Sequence, residues 1–515
     1  MMIKNERGST LLVVMLMMMV FTVLGLTILS VSIGGAKRTE IREEQVINDL
    51  DAIRDLTEAI AYIKDTISDK YDSEMSISAY QDLINNDILN NIYNYDITDL
   101  TNNYHIRLNE DFTRVLEVGS GNYKQIVYIT GIPSFLKYAA GSRGILTLNG
   151  STYVETGNIY ANQKLIITNE AKYIYNGEHL EESTTFPSVS NSDKNLLFVE
   201  SGLMEWCYLN CYNGSSAIGT SYHKLPKDKL TDSFDPTAPS LAKEETEYVH
   251  VDIVKTVKEK LKIAGFVGSN VDPYNMEVDD IIASGYNHTS AVEKIVSFKH
   301  LDTSSTIKGY LHVGDKNLPA YIDTSELLID KSKWVVIDGD AVIENIGNEP
   351  MNISANILIT GDLTIRGDIA FDSTMYVLGN TTINNVNITG YNDGELILMT
   401  QGNLEIARIN KFKNSNEVNS IKAYLYTNEK AEVYAVGSYL HIEGGVFAKG
   451  DLEINAYRGS AKDTGNEILF TSGQKQDPTA SRLIIKNNKK LFINQSQGLP
   501  KIDKLEVLTD LMKKK

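Results

Sequence analysis

The chain has 515 residues, of which 42% are hydrophobic and 23% charged, and its formal net charge is −18 at pH 7. This length predicts two to four domains, and the hydrophobic fraction excludes a disordered chain. The negative charge argues against a nucleic-acid backbone or an anionic membrane surface as the main partner of the folded part. Two cysteines are too few for a fold held together by many disulfides.

The first predicted element is a membrane-spanning helix in the uncharged run from Gly8 to Ala36. Residues 11–33 are almost wholly apolar, and about 20 such residues cross the hydrocarbon core of a bilayer as a helix. A cleaved secretory signal has a shorter apolar region, of about 7–15 residues, so we expect the helix to be retained. Ser32, Gly34 and Ala36 nevertheless leave signal cleavage as the alternative. Basic residues flank both ends, so charge does not set the orientation.

The residues before this run, Lys-Asn-Glu-Arg-Gly8-Ser9, resemble a prepilin leader, a short polar and basic peptide that ends in Gly before an apolar helix. The pattern is most similar to that of PilX-type minor pilins of type IV pili. The resemblance implies that prepilin peptidase cuts between Gly8 and Ser9 on the cytoplasmic side. It also implies a single-pass protein of the cell membrane whose C-terminal domain is extracytoplasmic, in a surface pilus or outside one.

Val13 departs from the pattern of major pilins, which carry Glu at this fifth position of the mature chain. That Glu is thought to meet the N-terminal amine of a neighbouring subunit in the filament. Without it, the resemblance favours a tip or initiation subunit, or a pilin-like protein that never polymerises. The partners that it implies are prepilin peptidase, other pilins, the pilus assembly platform and the membrane.

Helical spacing continues beyond the apolar run, through residues 36–70. Apolar residues recur every three or four positions and form one stripe, with acidic residues mainly off it. The stripe consists of Ile47, Leu50, Ile53, Leu56, Ile60, Ile63 and Ile67. We predict an amphipathic stalk that packs on the globular part, and the alternative is a coiled coil between two copies.

A weak repeat marks most of the remaining chain. Ile343, Leu363, Ile383 and Leu404 follow one another at intervals of about 20 residues. Short segments around them alternate apolar with polar residues and are separated by Gly, Asn or Asp turns. The pattern predicts a right-handed parallel β-helix or solenoid, loosely similar to the β-helical ectodomains that accompany PilX-type N-termini. An ordinary β-sandwich with irregular strands is the alternative.

Together these elements predict a mainly β protein with a long N-terminal α-helix. In chain order we expect the leader 1–8, the transmembrane helix 9–35, the helical stalk 36–70, a small α+β module 71–140, the first solenoid rungs 141–180, an insertion with a helix 181–330, the main solenoid 331–460, and C-terminal strands and a helix 461–515. The C-terminal helix is predicted over residues 502–515, where terminal lysines would complement its dipole.

No motif for nucleophilic, metal-dependent or nucleotide chemistry occurs in the sequence. We therefore predict that the chain is not an enzyme, has no catalytic residues and needs no metal or cofactor. A polysaccharide-active β-helix would need converging carboxylates. The outward residues of the repeat instead predict an apolar and aromatic strip. They are Leu358, Thr364, Tyr376, Ile397 and Glu405.

Three groups of residues have two or more interpretations. Cys207 and Cys211 either form a disulfide, remain free thiols or belong to a metal site. Aspartates beside glycines indicate tight turns, with calcium held between rungs as the alternative; they are Asp338, Asp340, Asp362, Asp368, Asp393 and Asp451. Outward tyrosines either stack on a surface or glycan ligand or pack across strands; they are Tyr424, Tyr426, Tyr434 and Tyr439.

The predicted function is that of a minor-pilin-like subunit for assembly or adhesion, at the tip of a type IV pilus or a related secretion or DNA-uptake filament. A membrane-anchored adhesin outside any pilus is the second hypothesis. An anchored glycan-active β-helix enzyme is the third.

Overall fold

The computed structural model consists of one long N-terminal helix followed by a mostly β ectodomain. It describes residues 7–514 with gaps. The gaps are 73–74, 76, 91–94, 105–111, 132–133, 193, 244–250, 264–265, 269, 286–295, 298–306, 314–315, 323–325, 329–333, 346–348, 407–417, 489–497, 500–503 and 511. For residues 7–10, 134, 263, 285, 296–297, 307–313, 316–322 and 326–327 the structure describes the backbone alone.

The first element is a single helix, α1 (Arg7–Lys70), of 64 residues. Neither Pro nor Gly occurs in residues 36–70, so no residue there breaks the helical hydrogen bonds. One face of its C-terminal part is buried, and this face consists of Ala52, Leu56, Ala59, Ile63 and Ile67. The predicted stripe is therefore only half packed. Ile47 and Leu50 are exposed, because the globular part covers the helix from Ala52 onward.

The packed end of α1 lies on a small antiparallel sheet. A short helix, α2 (Ile77–Asp82), continues as a π-helical turn, Leu83–Leu89, beside it. The strands of the sheet, in spatial order, are Asp96–Asp99, Arg114–Ser120, Tyr123–Thr130 and Glu506–Thr509, with Lys513–Lys514 also paired to the third. Leu116, Val118 and Val127 of the sheet share a buried cluster with Leu56 and Ile63 of α1.

The predicted helix over residues 502–515 is wrong. Glu506–Thr509 is a strand that pairs antiparallel with Thr130–Val127, and Lys513–Lys514 pairs with Tyr123 and Lys124. Val507 is partly buried against the cluster under α1. The open edge of the hairpin supplies hydrogen bonds that an isolated helix of this length would have to make alone. The C-terminus thus completes the sheet that residues 96–130 begin.

The interface between α1 and the sheet gives a first testable result. We expect Ile63→Ala to lower the free energy of unfolding by about 3 kcal/mol, because it removes a fully buried side chain and leaves a cavity. Ile47→Ala, on the exposed half of the same stripe, is the matched control and should change it by less than about 0.5 kcal/mol. Urea denaturation of the full chain in detergent, followed by tyrosine fluorescence, measures both; equal midpoints would contradict this packing.

The rest of the ectodomain is a stack of parallel strands on three faces. Face A contains Trp334–Ile337, Asn356–Ile359, 375–377, Leu396–Thr400, 423–427, 444–448, Tyr138–Ser142, Asn158–Ala161, Leu196–Val199 and Ser240–Ala242. Face B contains Ala341–Asn345, 363–367, 381–383, Leu404–Ile406, Ala431–Ala435, Leu452–Ala456, Ile145–Gly150, Lys164–Thr168 and Met204–Cys207. Face C contains Glu326–Leu328, Met351–Ser354, 369–372, 386–390, 418–421, 439–443, Leu483–Lys486, Tyr153–Thr156 and Ser188–Val189.

The two halves of the stack meet at a seam in the middle. Leu452–Ala456 pairs in parallel with Leu146–Gly150, so an early segment lies against a late one. The expected limits of the insertion, residues 181–330, are therefore wrong. The early strands extend the late stack, and strands such as Leu196–Val199 and Met204–Cys207 belong to it although they fall within 181–330. The strands are too short for their sequence to reveal which distant partner they pair with.

The interior of the stack is aliphatic, and the outer side of face A is covered. Residues such as Ile343, Ile365 and Ile454 fill the interior column. Two helices, α3 (Ile253–Ile263) and α4 (Val278–Gly285), contribute to a second buried cluster with the outward side chains of face A.

Smaller elements decorate the stack. Antiparallel pairs are Glu170–Tyr175 with Glu178–Ser183, Tyr212–Asn213 with Ser216–Ala217, Met204–Cys207 with His223–Lys224, Gly459–Asp463 with Ile468–Ser472, and Ile307–Val313 with both Val296–Ser297 and Lys316–Ile322. Short 3₁₀ helices are Thr101–Tyr104, Ser134–Lys137, Gly219–Ser221, Lys227–Ser233, Pro273–Asn275 and Pro478–Ala480.

Candidate functional site

The strongest functional feature is the apolar N-terminal half of α1. Its side chains from Leu11 to Ile33 are exposed on every side of the helix, and none of this stretch packs on the ectodomain. At 1.5 Å per residue the stretch is about 35 Å long, which matches the hydrocarbon core of a bilayer. By length and composition, this helix could cross a membrane.

Both threonines of this stretch are satisfied within the helix. The Thr22 hydroxyl donates to the carbonyl of Met18 at 2.7 Å, and the Thr27 hydroxyl donates to the carbonyl of Val23 at 2.7 Å. Such internal hydrogen bonds remove the penalty of placing a hydroxyl in lipid. The two threonines are therefore compatible with a hydrocarbon environment.

The predicted processing site lies at the start of this helix. Gly8 and Ser9 are in the first turn of α1, which begins at Arg7, and their side chains lie outside the described residues. Val13, at the position where major pilins carry Glu, is exposed like its neighbours.

The C-terminal strand ties the emerging helix to the ectodomain. Lys514 Nζ lies 2.9 Å from a carboxylate oxygen of Asp49, and 5.3 Å from the centre of the Tyr123 ring. The hydrogen bond from Lys514 lowers the pKa of the Asp49 carboxyl. This ion pair is exposed to solvent, so it orients the helix more than it stabilises the fold.

The two cysteines are joined by a disulfide, with their Cα atoms 5.8 Å apart. Both are buried, and the enclosed loop is anchored by the buried Glu170. One Glu170 oxygen accepts from the N–H of Asn210 at 2.7 Å and the other from that of Cys211 at 2.8 Å. Cys207 and Cys211 are thus part of a braced turn at one end of the stack.

The aspartates beside glycines lie mostly along one edge of the stack and bind backbone. Asp340 accepts from the N–H of Asp362 at 2.8 Å, and Asp362 accepts in turn from the N–H of Asn380 at 2.7 Å. Gly361 is required beside this ladder, because a Cβ there would lie 2.3 Å from the Asp340 carboxylate. Among the described residues, no group of three or more His, Cys, Asp or Glu is placed to hold a metal ion.

The predicted aromatic strip exists on face A but is buried. Leu358 aligns with Tyr376 and, through the following strands, with Tyr426. Tyr376 and Tyr426 belong to the cluster that includes α3. Of the two interpretations of the outward tyrosines, burial of Tyr424, Tyr426 and Tyr434 favours packing and contradicts a ligand-binding surface. Burial raises the pKa of each phenol, and Tyr439 stacks edge-on with His441.

Two of the five predicted strip residues lie elsewhere. Thr364 and Glu405 are on face B, whereas Ile397 aligns with Tyr424 on face A. The predicted strip combined residues of face A and face B, because the repeat in the sequence does not show where the chain passes from one face to the next.

No protein family matches the sequence, and no curated protein matches it. Among solved structures, the chain is similar to the competence-associated pilin ComZ from Thermus thermophilus. The two share 12% sequence identity, and the similarity covers 78% of this chain and 80% of that one. The TM-score is 0.27. A similarity this weak carries no argument about this chain.

A column of carboxylates lies on face B and was not predicted from the sequence. Glu405, Glu432 and Glu453 occupy equivalent positions on consecutive strands, and such strands lie about 4.8 Å apart. The Tyr434 hydroxyl donates to Glu432 at 2.9 Å, and Lys172 binds Glu453 at 2.6 Å. The shared [Leu or Ala]-Glu-[Ile or Val] pattern of these three strands is the signal that could have revealed the column.

Proposed function

We propose that this chain is a minor-pilin-like structural subunit, held in a membrane by the exposed half of α1. The observation that carries the proposal is the division of one uninterrupted helix into two halves. Residues 11–33 expose apolar side chains on all sides, while the half from Ala52 onward packs on an antiparallel sheet. A helix with this division both spans a bilayer and carries a folded domain outside it.

The ectodomain in this proposal is a right-handed parallel β-helix inserted into the small α+β module. The parallel register on three faces and the aliphatic interior support this architecture. A domain of this bulk is difficult to repeat along a thin filament, and Val13 lacks the carboxylate of repeated subunits. Both observations support a place at the filament tip, with the pilus assembly platform, other pilins and prepilin peptidase as partners.

The proposed role is structural or adhesive, and not enzymatic. The outward tyrosines of face A are buried, and two carboxylates of the face B column are already bound, Glu453 by Lys172 and Glu432 by Tyr434. A membrane-anchored adhesin outside any pilus is the second candidate, supported by the same exposed helix. Release of reducing sugars from cell-wall or host glycans would instead favour a glycan-active enzyme.

Mass spectrometry of the N-terminal peptide tests the proposal. We expect the protein purified from cells to begin at Ser9, with a methylated amine, and to keep residues 1–8 in cells without prepilin peptidase. An intact leader in both strains would contradict a pilin-type protein and leave the membrane-anchored adhesin. A start just after Ala36 in both strains would instead identify a cleaved secretory signal.

Substitution of the leader glycine sharpens the same test. Gly8→Val is expected to abolish cleavage, since a branched side chain would replace the glycine at the proposed cleavage site. Gly25→Ala is the matched control, because a Cβ at Gly25 meets no atom within 4 Å and the change lies inside the apolar run. Normal processing of Gly8→Val would count against the proposal.

A further inference from the structure

A lysine, an asparagine and a glutamate converge at the point where the hairpin Glu170–Ser183 meets face B. Lys172 Nζ lies 2.6 Å from Oε1 of Glu453. The side-chain nitrogen of Asn149 donates to the same oxygen at 3.2 Å, and that of Asn455 donates to it at 2.9 Å. Oε1 of Glu453 therefore brings the Lys172 amine next to the side-chain carboxamides of Asn149 and Asn455.

The carboxamide of Asn149 is polarised from its other end. The Tyr212 hydroxyl donates to Asn149 Oδ1 at 2.6 Å. The Thr168 hydroxyl lies 3.0 Å from the same oxygen and 2.8 Å from the carbonyl oxygen of Glu170, and it has one proton to give to either. Hydrogen bonds to a carbonyl oxygen withdraw electron density from its carbon and stabilise the negative charge of a tetrahedral intermediate.

The group is shielded from water. Asn149, Asn455 and Thr168 are fully buried, and Tyr212 is nearly so, while Lys172 and Glu453 are partly buried. Burial raises the pKa of the Tyr212 phenol, which therefore remains a proton donor. The Lys172 ammonium lies 5.0 Å from the centre of the Tyr212 ring. Electrostatic interactions between these groups are stronger in such surroundings than in water.

We propose that Lys172 and Asn149 join in an intramolecular isopeptide bond, promoted by Glu453. Glu453 takes a proton from the Lys172 ammonium, and the neutral amine attacks Cγ of Asn149. Tyr212 stabilises the oxyanion that forms on Oδ1. Glu453 passes the first proton to Nδ2 and takes a second one from the attacking nitrogen, the Cγ–Nδ2 bond breaks, and ammonia leaves and carries the remaining proton away from Glu453 as ammonium. One amide replaces another, so no oxidant or reductant is required.

Asn149 is the electrophile in this assignment, and Asn455 is a positioning residue. Asn455 Oδ1 accepts from the backbone N–H of Lys172 at 3.0 Å and from the Asn149 side chain at 3.0 Å. It thereby fixes the strand that carries Lys172 against the carboxamide that this lysine would attack. The phenol hydrogen bond, which only Asn149 receives among these contacts, favours Asn149 for the reaction.

The bond would fasten the hairpin to the stack next to the disulfide of Cys207 and Cys211. Because Glu170 begins the same hairpin and braces the disulfide loop, one covalent link would lie at the seam and the other at the last strand of face B. Such a cross-link resists mechanical unfolding and proteolysis in any extracellular protein, so this proposal stands independently of the pilin-like function.

Intact mass of the reduced full-length chain, purified in detergent, tests the proposal directly. We expect a mass one ammonia below that calculated for the sequence with its observed N-terminus, and a branched peptide on proteolysis that joins Lys172 to Asn149. A mass without this deficit would overturn the proposal, as would a branched peptide that joins Lys172 to Asn455. Asn149-Gly150 could also lose ammonia by forming a succinimide within the chain, and this product would give a linear peptide.

Three variants separate these outcomes. Lys172→Arg keeps the positive charge and Glu453→Gln keeps the shape of the side chain, and both should restore the full mass and lower the melting temperature. Lys164→Arg is the matched control, since Lys164 pairs with Glu205 at 3.0 Å and should leave the cross-link intact. Persistence of the ammonia loss in Lys172→Arg would assign it to the succinimide and overturn the proposal. Circular dichroism shows whether each variant remains folded.

Discussion

We expect Gly444→Val to lower the free energy of unfolding of the parallel stack by about 4 kcal/mol, which combines backbone strain with overpacking. Gly444 has a φ of +141°, and an added Cβ would lie 1.9 Å from the carbonyl oxygen of Ala423 on the preceding strand. Neither atom can move without breaking the parallel register between the two strands. The substitution therefore disrupts the contact between neighbouring strands and leaves the aliphatic interior unchanged.

Gly177→Val is the matched control for this experiment. Gly177 also has a positive φ, +84°, but an added Cβ would meet no atom within 4 Å, so the substitution carries the backbone strain alone. We expect its effect to be about 1–2 kcal/mol. The urea midpoint of each full-length variant, followed by far-ultraviolet circular dichroism, measures the difference. Equal midpoints for the two variants would contradict the close approach of neighbouring strands at Gly444.

Local patterns in the sequence were sufficient for the parts of the fold that depend on local spacing. The apolar run 11–33 and the stripe through Leu56 and Ile63 are readable because a helix places neighbours three or four residues apart on one face. The alternation around Ile343 and Leu363 indicated short strands for the same kind of reason. These features need no knowledge of distant contacts.

Pairing between distant segments could not be predicted in this way. The seam between Leu452–Ala456 and Leu146–Gly150 joins strands from opposite ends of the ectodomain, and any aliphatic strand of similar length would satisfy the same pattern. The C-terminal strand Glu506–Thr509 has the same difficulty, because its partner is the distant hairpin. The contact of Lys172 with Glu453 likewise exists only once the two halves have met.

The second large effect concerns the exposed half of α1. We expect the double variant Val20→Asp with Leu24→Asp to move the chain out of the membrane fraction, because both side chains lie near the middle of the apolar stretch and are exposed. An aspartate at the centre of a membrane helix costs about 3 kcal/mol, whereas each apolar residue contributes about 0.3–0.6 kcal/mol. Two aspartates therefore offset the contribution of about 10–20 apolar residues.

Ile41→Asp with Val46→Asp is the matched control, since these side chains are equally exposed on the same helix but lie beyond the apolar stretch. This control should remain in membranes after alkaline carbonate washing, while the Val20 and Leu24 variant should be lost from them or fail to accumulate. Immunoblots of the washed membranes and the supernatant measure the distribution. If both variants stay with the membrane, α1 is not what holds the chain there, and a contact made by the ectodomain must do so. If both are lost, the charged segment after Ala36 also enters the bilayer, and the span is longer than residues 11–33.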